Sequence, residues 1–202
     1  MMTIAGQPFL TDFQTQQLIS QFQQKTELNV SQISTQQVYV LSRELSGDEH
    51  KKALDLLAVD QSATLNAPQD NQLQVIVGPR FGTISPWASK ATDIFNNCEI
   101  EINRVERVVV YTLTLDEKID GDAGKKLPVD AEQLLFDRMT QSLVYDLSDV
   151  SKLFDDQAPA SLNHIDVIGQ GQAALESANT EFGFALSSED IDYLMNAYVN
   201  EL

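Results

Sequence analysis

Hydrolytic or group-transfer chemistry needs a nucleophile, a base and a group that orients them, and the side chains of the right kind here are Cys98, His50 and His164. Cys98 closes a helical apolar stripe of Ala88, Ala91, Phe95 and Cys98, which predicts a small packed hydrophobe and not a reactive thiolate. His50 stands in the first turn of a charged helix and His164 in a linker, so neither has a catalytic neighbourhood. Two separated histidines without a cysteine pair do not make a zinc site. Asp120 and Asp122, with Gly121 and Gly124, resemble part of a calcium loop, but Lys125 and Lys126 occupy the region where further oxygen ligands belong. The expectation is a chain with no catalytic, cofactor-binding or metal-binding residue.

Two segments invite a binding role. Gly169-x-Gly171-x-x-Ala174 follows an apolar stretch and opens a helix, which matches the pattern that lets a backbone approach a pyrophosphate. A nucleotide fold needs further strand-helix units, and only 28 residues follow Ala174 (202 minus 174), so a glycine turn at a helix start is expected. The stretch Gly78 to Asp93 is richer. It joins a strand to a helix N-terminus, where free backbone donors and the helix dipole favour an anion, and it adds Arg80, Thr83, Ser85, Ser89 and Lys90 beside Trp87, the only tryptophan. These six residues form a candidate interdomain docking surface, although a capped turn with an aromatic anchor would use the same residues.

The elements that position them follow from periodicity and capping. Ser85 is a preferred N-cap and Pro86 suits the first helical position, which predicts a helix over 86–97. Thr11-x-x-Gln14 and Ser46-x-x-Glu49 are capping boxes that start helices over about 12–25 and 48–59. Strands are expected over 37–41, 73–77 and 105–115. A helix over 130–144 would put Ala131, Leu134, Leu135, Met139 and Leu143 on one side. The segment 116–128 reads as an exposed loop and 156–163 as a linker. After it come a short strand or turn at 165–168, a helix over 172–181 and a capped helix from about Ser187, with Ile191, Leu194, Met195, Tyr198 and Leu202 as its apolar stripe. Strand, helix, strand, helix occurs twice, which predicts an α+β fold with a duplicated strand-helix-strand-helix domain and helices on one side of mainly antiparallel strands; a parallel sheet fits the pattern as well. The domains expected are 1–150, the duplicated scaffold, and 151–202, a mostly helical linker.

Composition narrows the partners. With 13 Lys and Arg against 30 Asp and Glu, the net charge is -17, which repels polyphosphate and argues against nucleic acid. A single cysteine excludes an intrachain disulfide, and no apolar run is long enough to cross a bilayer, so a cytosolic protein with no membrane partner is expected.

The string from Arg80 to Ile94, followed by Asn97-Cys98 and Asn103-Arg104-Val105-Glu106-Arg107, resembles the amino-terminal domain of the phosphoribosylformylglycinamidine synthases. Asp166-Val167-Ile168-Gly169-Gln170-Gly171, Ala173, Leu175, Ala178-Asn179 and Glu189-Asp190-Ile191-Asp192-Tyr193-Leu194 are similar to the linker of that family. Phe81 and Ala88 stand where proline and serine are usual, and the loop from Asp116 to Pro128 is more divergent. The resemblance implies a ligase of purine biosynthesis that uses ATP, magnesium and ammonia released from glutamine. It implies an amino-terminal region resembling a dimer of the small accessory subunit, with the synthetase and glutaminase domains of the parent enzyme as partners. The catalytic motifs of the family lie beyond the linker, so none carries over to a residue here. The alternative from another class is an independent small-ligand or nucleotide-binding protein using the Gly169 turn or the Arg80 to Lys90 loop.

Overall fold

The structure, a computed structural model, describes residues 1–60, 62–116, 126–155 and 161–201. Two compact units make up the chain, Met1–Gln157 and Ala158–Leu202. The divergent loop with Asp120, Asp122, Gly121, Gly124 and Lys125, most of the 156–163 linker, and Leu202 lie outside the described residues. Among the described residues, no helix is long and apolar enough to cross a membrane.

The first unit is an α+β domain on a five-stranded antiparallel sheet. Its elements are β1 (Met2–Ala5), α1 (Asp12–Lys25), β2 (Val30–Leu41), α2 (Gly47–Leu57), β3 (Gln72–Pro79), α3 (Pro86–Asn97), β4 (Val105–Leu115), α4 (Val129–Glu132), β5 (Gln141–Val144) and a 3-10 helix, Leu147–Phe154. The strand order is β1-β2-β4-β3-β5, and all pairs are antiparallel. The first four strands of that order are symmetric about the β2/β4 pair, and each half has a helix whose N-cap is a hydroxyl residue, Thr11 or Ser85. Phe22 of α1 and Phe95 of α3 are each fully buried. The open alternative of a parallel sheet is thereby excluded.

Alternation along the strands sorts residues between the two faces. On one face Ile33, Leu113 and Leu73 form a cross-strand row, joined by Val75, Val77 and Tyr111, and α1 covers them with Leu18, Ile19 and Phe22. Further along that face, Ile4, Leu41 and Val105 pack against Ala91 and Phe95 of α3 and Ala53 and Leu54 of α2. The opposite face carries Val38, Val40, Ile76, Val108 and Val110, closed by Val150 and Leu153 of the 3-10 helix. Burying each of the valine, leucine, isoleucine and phenylalanine side chains among these stabilises by roughly 1.5–3 kcal/mol before chain entropy is subtracted.

The expected helix over 130–144 is not formed. Only Val129–Glu132 is helical, and Gln141–Val144 is β5, paired with Ile76–Pro79 of β3. Asp137 explains the break: its carboxylate accepts hydrogen bonds from the Met139 amide and the Thr140 hydroxyl, each at 2.9 Å, which turns the chain. Met139, expected on the buried side, is 75% exposed. Tyr145, just past β5, then ties this region to α4 by donating to Glu132 at 2.7 Å and accepting from the Leu127 amide at 2.8 Å.

The second unit is three helices, α5 (Val167–Gln170), α6 (Gln172–Phe182) and α7 (Ser188–Asn196), with a π-type turn at Ala197–Glu201. Where a short strand or turn was expected at 165–168, Asp166 caps the one-turn helix α5 and leaves Ile168 exposed. Val167, Leu175 and Ile191 form its core cluster, with Ile165, Leu186, Leu194 and Met195 packed around them, and Ala178 of α6 is buried too.

Candidate functional site

The segment joining β3 to α3 turns through Gly82, whose φ of 77° is the left-handed region that glycine adopts without strain. Arg80 anchors the turn through its backbone, donating its N–H to the Thr140 carbonyl and accepting from the Thr83 amide and hydroxyl. The Arg80 side chain is exposed. Ser85 accepts from the Ala88 amide at 2.9 Å, as an N-cap must, and its hydroxyl donates to Glu106 at 2.8 Å.

Glu106 and Arg104 hold this loop from beneath. Glu106 is fully buried and pairs with Arg104 at 2.9 Å; the Arg104 guanidinium also donates to the Thr83 carbonyl at 2.7 Å and the Leu153 carbonyl at 2.6 Å. The pair thus fastens three segments at one point: the loop, the start of β4 and the end of the 3-10 helix. Phe154 lies under the guanidinium, 6.0 Å from its carbon. A buried ion pair is held only where extra hydrogen bonds support it, and here two carbonyls and a serine do so, while the buried Arg104 Nε is left without a partner among the described residues.

Trp87 sits in the first turn of α3, half-buried against the sheet. Its ring stacks on Tyr39 at 5.7 Å, and the Arg107 guanidinium covers it at 5.0 Å. Tyr39 and Arg107 are cross-strand partners in β2 and β4, so the strand register sets the spacing of the stack. Burial pushes the Tyr39 phenol above its ordinary range, and the Arg107 charge opposes that rise.

Of the six candidate residues, the structure turns Arg80, Thr83, Ser89 and Lys90 outward and ties Ser85 and Trp87 inward. Among the described residues, Arg80, Lys90 and Arg107 form no ion pair. Ile84, 65% exposed at the tip of the loop, completes an outward surface of two cations, two hydroxyls and one apolar side chain. Ile84 lies inside the Gly78 to Asp93 stretch and Arg104, Glu106 and Arg107 inside the string that carries the family resemblance, but their joining to this site, with Tyr39, depends on strand register and loop geometry that the sequence does not show.

The other candidates stand apart from this arrangement. Cys98 is half-buried at the end of α3, with its amide donating to Ile94 and Phe95. Among the described residues, the side chains of Cys98, His50 and His164 make no hydrogen bond or ion pair. At the Gly169 turn, the Asp166 carboxylate accepts the Gly169 amide at 2.8 Å, so the donor a phosphate would need already faces a negative group.

The family described as formylglycinamide ribonucleotide amidotransferase, N-terminal, matches residues 33–154. The chain belongs to that family. The matched region of this amidotransferase N-terminal chain runs from β2 to the end of the 3-10 helix. It therefore contains the whole Arg80 to Lys90 loop, the Arg104–Glu106 pair and the Leu153 and Phe154 contacts that complete it. The family places the chain in purine biosynthesis as the amino-terminal part of a multidomain enzyme.

Proposed function

We propose that this chain is the non-catalytic scaffold of the amidotransferase, and that the Arg80, Thr83, Ile84, Ser89 and Lys90 surface docks the synthetase domain. The observation that carries this reading is an outward pair of cations without ion-pair partners, on a loop locked from beneath by a buried Arg104–Glu106 pair, in a chain of net charge -17. Locking a loop whose tip residue Ile84 is exposed lowers the ordering cost of binding a partner there. Ser85 and Trp87 hold the loop in shape, and the exposed residues meet the partner. In this reading the parent enzyme uses ATP and magnesium, held by its synthetase domain, and takes ammonia from its glutaminase domain. The scaffold positions those two domains and works in the cytosol.

The test is the double variant Arg80→Ala, Lys90→Ala, assayed for binding to the separately expressed catalytic portion of the enzyme. The melting temperature should stay close to that of the parent chain while affinity falls by about ten-fold. Unaltered affinity would return the loop to a capped turn.

A further inference from the structure

We propose that the turn after α6 is a docking knob, in which Phe182 and Phe184 enter an apolar slot rimmed by lysine and arginine on the catalytic portion of the same amidotransferase. This rests on the family reading, and it concerns a surface separate from the Arg80 loop. The two rings lie 5.6 Å apart, and the residues that carry them are 44% and 48% exposed. Among the described residues, the core cluster of their unit is Val167, Leu175 and Ile191 with half-buried neighbours, Ala178 is buried as well, and neither ring belongs to that cluster.

The turn that presents them is rigidly made. Gly183 ends α6 at a φ of 67°, with its amide bonded to the Asn179 carbonyl. The Asn179 side chain then brackets Leu186, accepting from its amide at 2.8 Å and donating to its carbonyl at 3.0 Å. Between them Ala185 is held at a φ of 57°, a left-handed conformation that costs a non-glycine residue free energy. Two aromatic rings fixed on a strained, bracketed turn are ordered before any partner arrives, and aromatic anchors of this kind carry most of the energy of an interface.

Charge selects the occupant. From residue 158 to 202 the sequence has seven acids (Asp166, Glu176, Glu181, Glu189, Asp190, Asp192 and Glu201) and no lysine or arginine. Glu181, exposed, immediately precedes Phe182 in the last turn of α6. A second copy of this chain would bring the same acids against them, and an anionic lipid surface would be repelled likewise. A cationic rim around an apolar slot is the complement that remains, and interfaces of that kind weaken with salt.

The experiment measures binding of the 202-residue chain to the separately expressed catalytic portion, with Phe182→Ser, Phe184→Ser as one variant and Glu181→Lys as another. The aromatic double variant should bind about ten-fold or more weakly at every salt concentration. Glu181→Lys should bind more weakly at about 0.05 M salt and match the parent at about 0.5 M, which keeps the proposal testable if the double variant loses its helices. Parent-like binding by both variants overturns the knob and leaves the Arg80 docking reading standing, whereas no binding by the parent chain removes both. Sedimentation of the chain alone should give a monomer; a dimer abolished by the aromatic substitutions would make a second copy the occupant and overturn the proposal.

Discussion

Glu106 is the residue on which the geometry of the Arg80 loop depends, because it joins Ser85 to Arg104 while wholly removed from water. Glu106→Ala leaves the Arg104 guanidinium buried without its counter-charge and should cost about 3–5 kcal/mol of folding stability, measured by urea unfolding. A loss well under about 1 kcal/mol would mean that water reaches the guanidinium and that the loop is not locked. A second residue gives a pH signature. The Arg43 guanidinium, donating to Glu49 at 2.6 Å, together with the Ser46 cap, draws the Glu49 pKa down from 4.5 to about 2. Because the folded pKa lies below the ordinary value, the stabilisation is complete above about pH 4.5 and is lost as pH falls toward about 2. Replacing Glu49 by Gln should therefore flatten the melting temperature against pH across that window, and an unchanged slope would show that the pair does not form in solution.

At the scale of elements, β4 lies in the interior of the sheet, with β2 on one side and β3 on the other, and its apolar residues are covered on both faces. The helices of the second unit share a far smaller core, and Ile168 and Tyr193 on them are 78% and 72% exposed. Amide exchange should be slowest across Val105–Leu115 and much faster across Val167–Asn196, with equal protection counting against two separately stabilised units. The elements that were legible in the sequence are those with local causes. The capping boxes Thr11 to Gln14 and Ser46 to Glu49 and the Ser85 cap with Pro86 mark the starts of helices to within a residue, because one turn of backbone is enough to satisfy them. The strand over 105–115 announces itself by a run of valines. By contrast, β5 and the 3-10 helix exist because β3 and the valine face need covering, and no residue inside 141–154 states that need. A four-residue strand such as β1 is too short to show a period. The same logic divides the site: the Arg80 to Lys90 loop is visible as a cap with cations, but Arg107 meets Tyr39 only through the β2/β4 register.

At the scale of the whole molecule, the family match makes this chain the amino-terminal part of a multidomain enzyme. The scaffold role proposed for it makes a demand on the catalytic portion. The catalytic portion of the enzyme, expressed separately, should form little or no amidine from formylglycinamide ribonucleotide, ATP and glutamine by itself, and the 202-residue chain should form none. The most direct test is the rate of that reaction when the two are mixed at increasing concentrations of the chain. A saturable rise in rate is the result expected of a docking scaffold; a catalytic portion that runs at full rate alone, or that ignores the added chain, would contradict it.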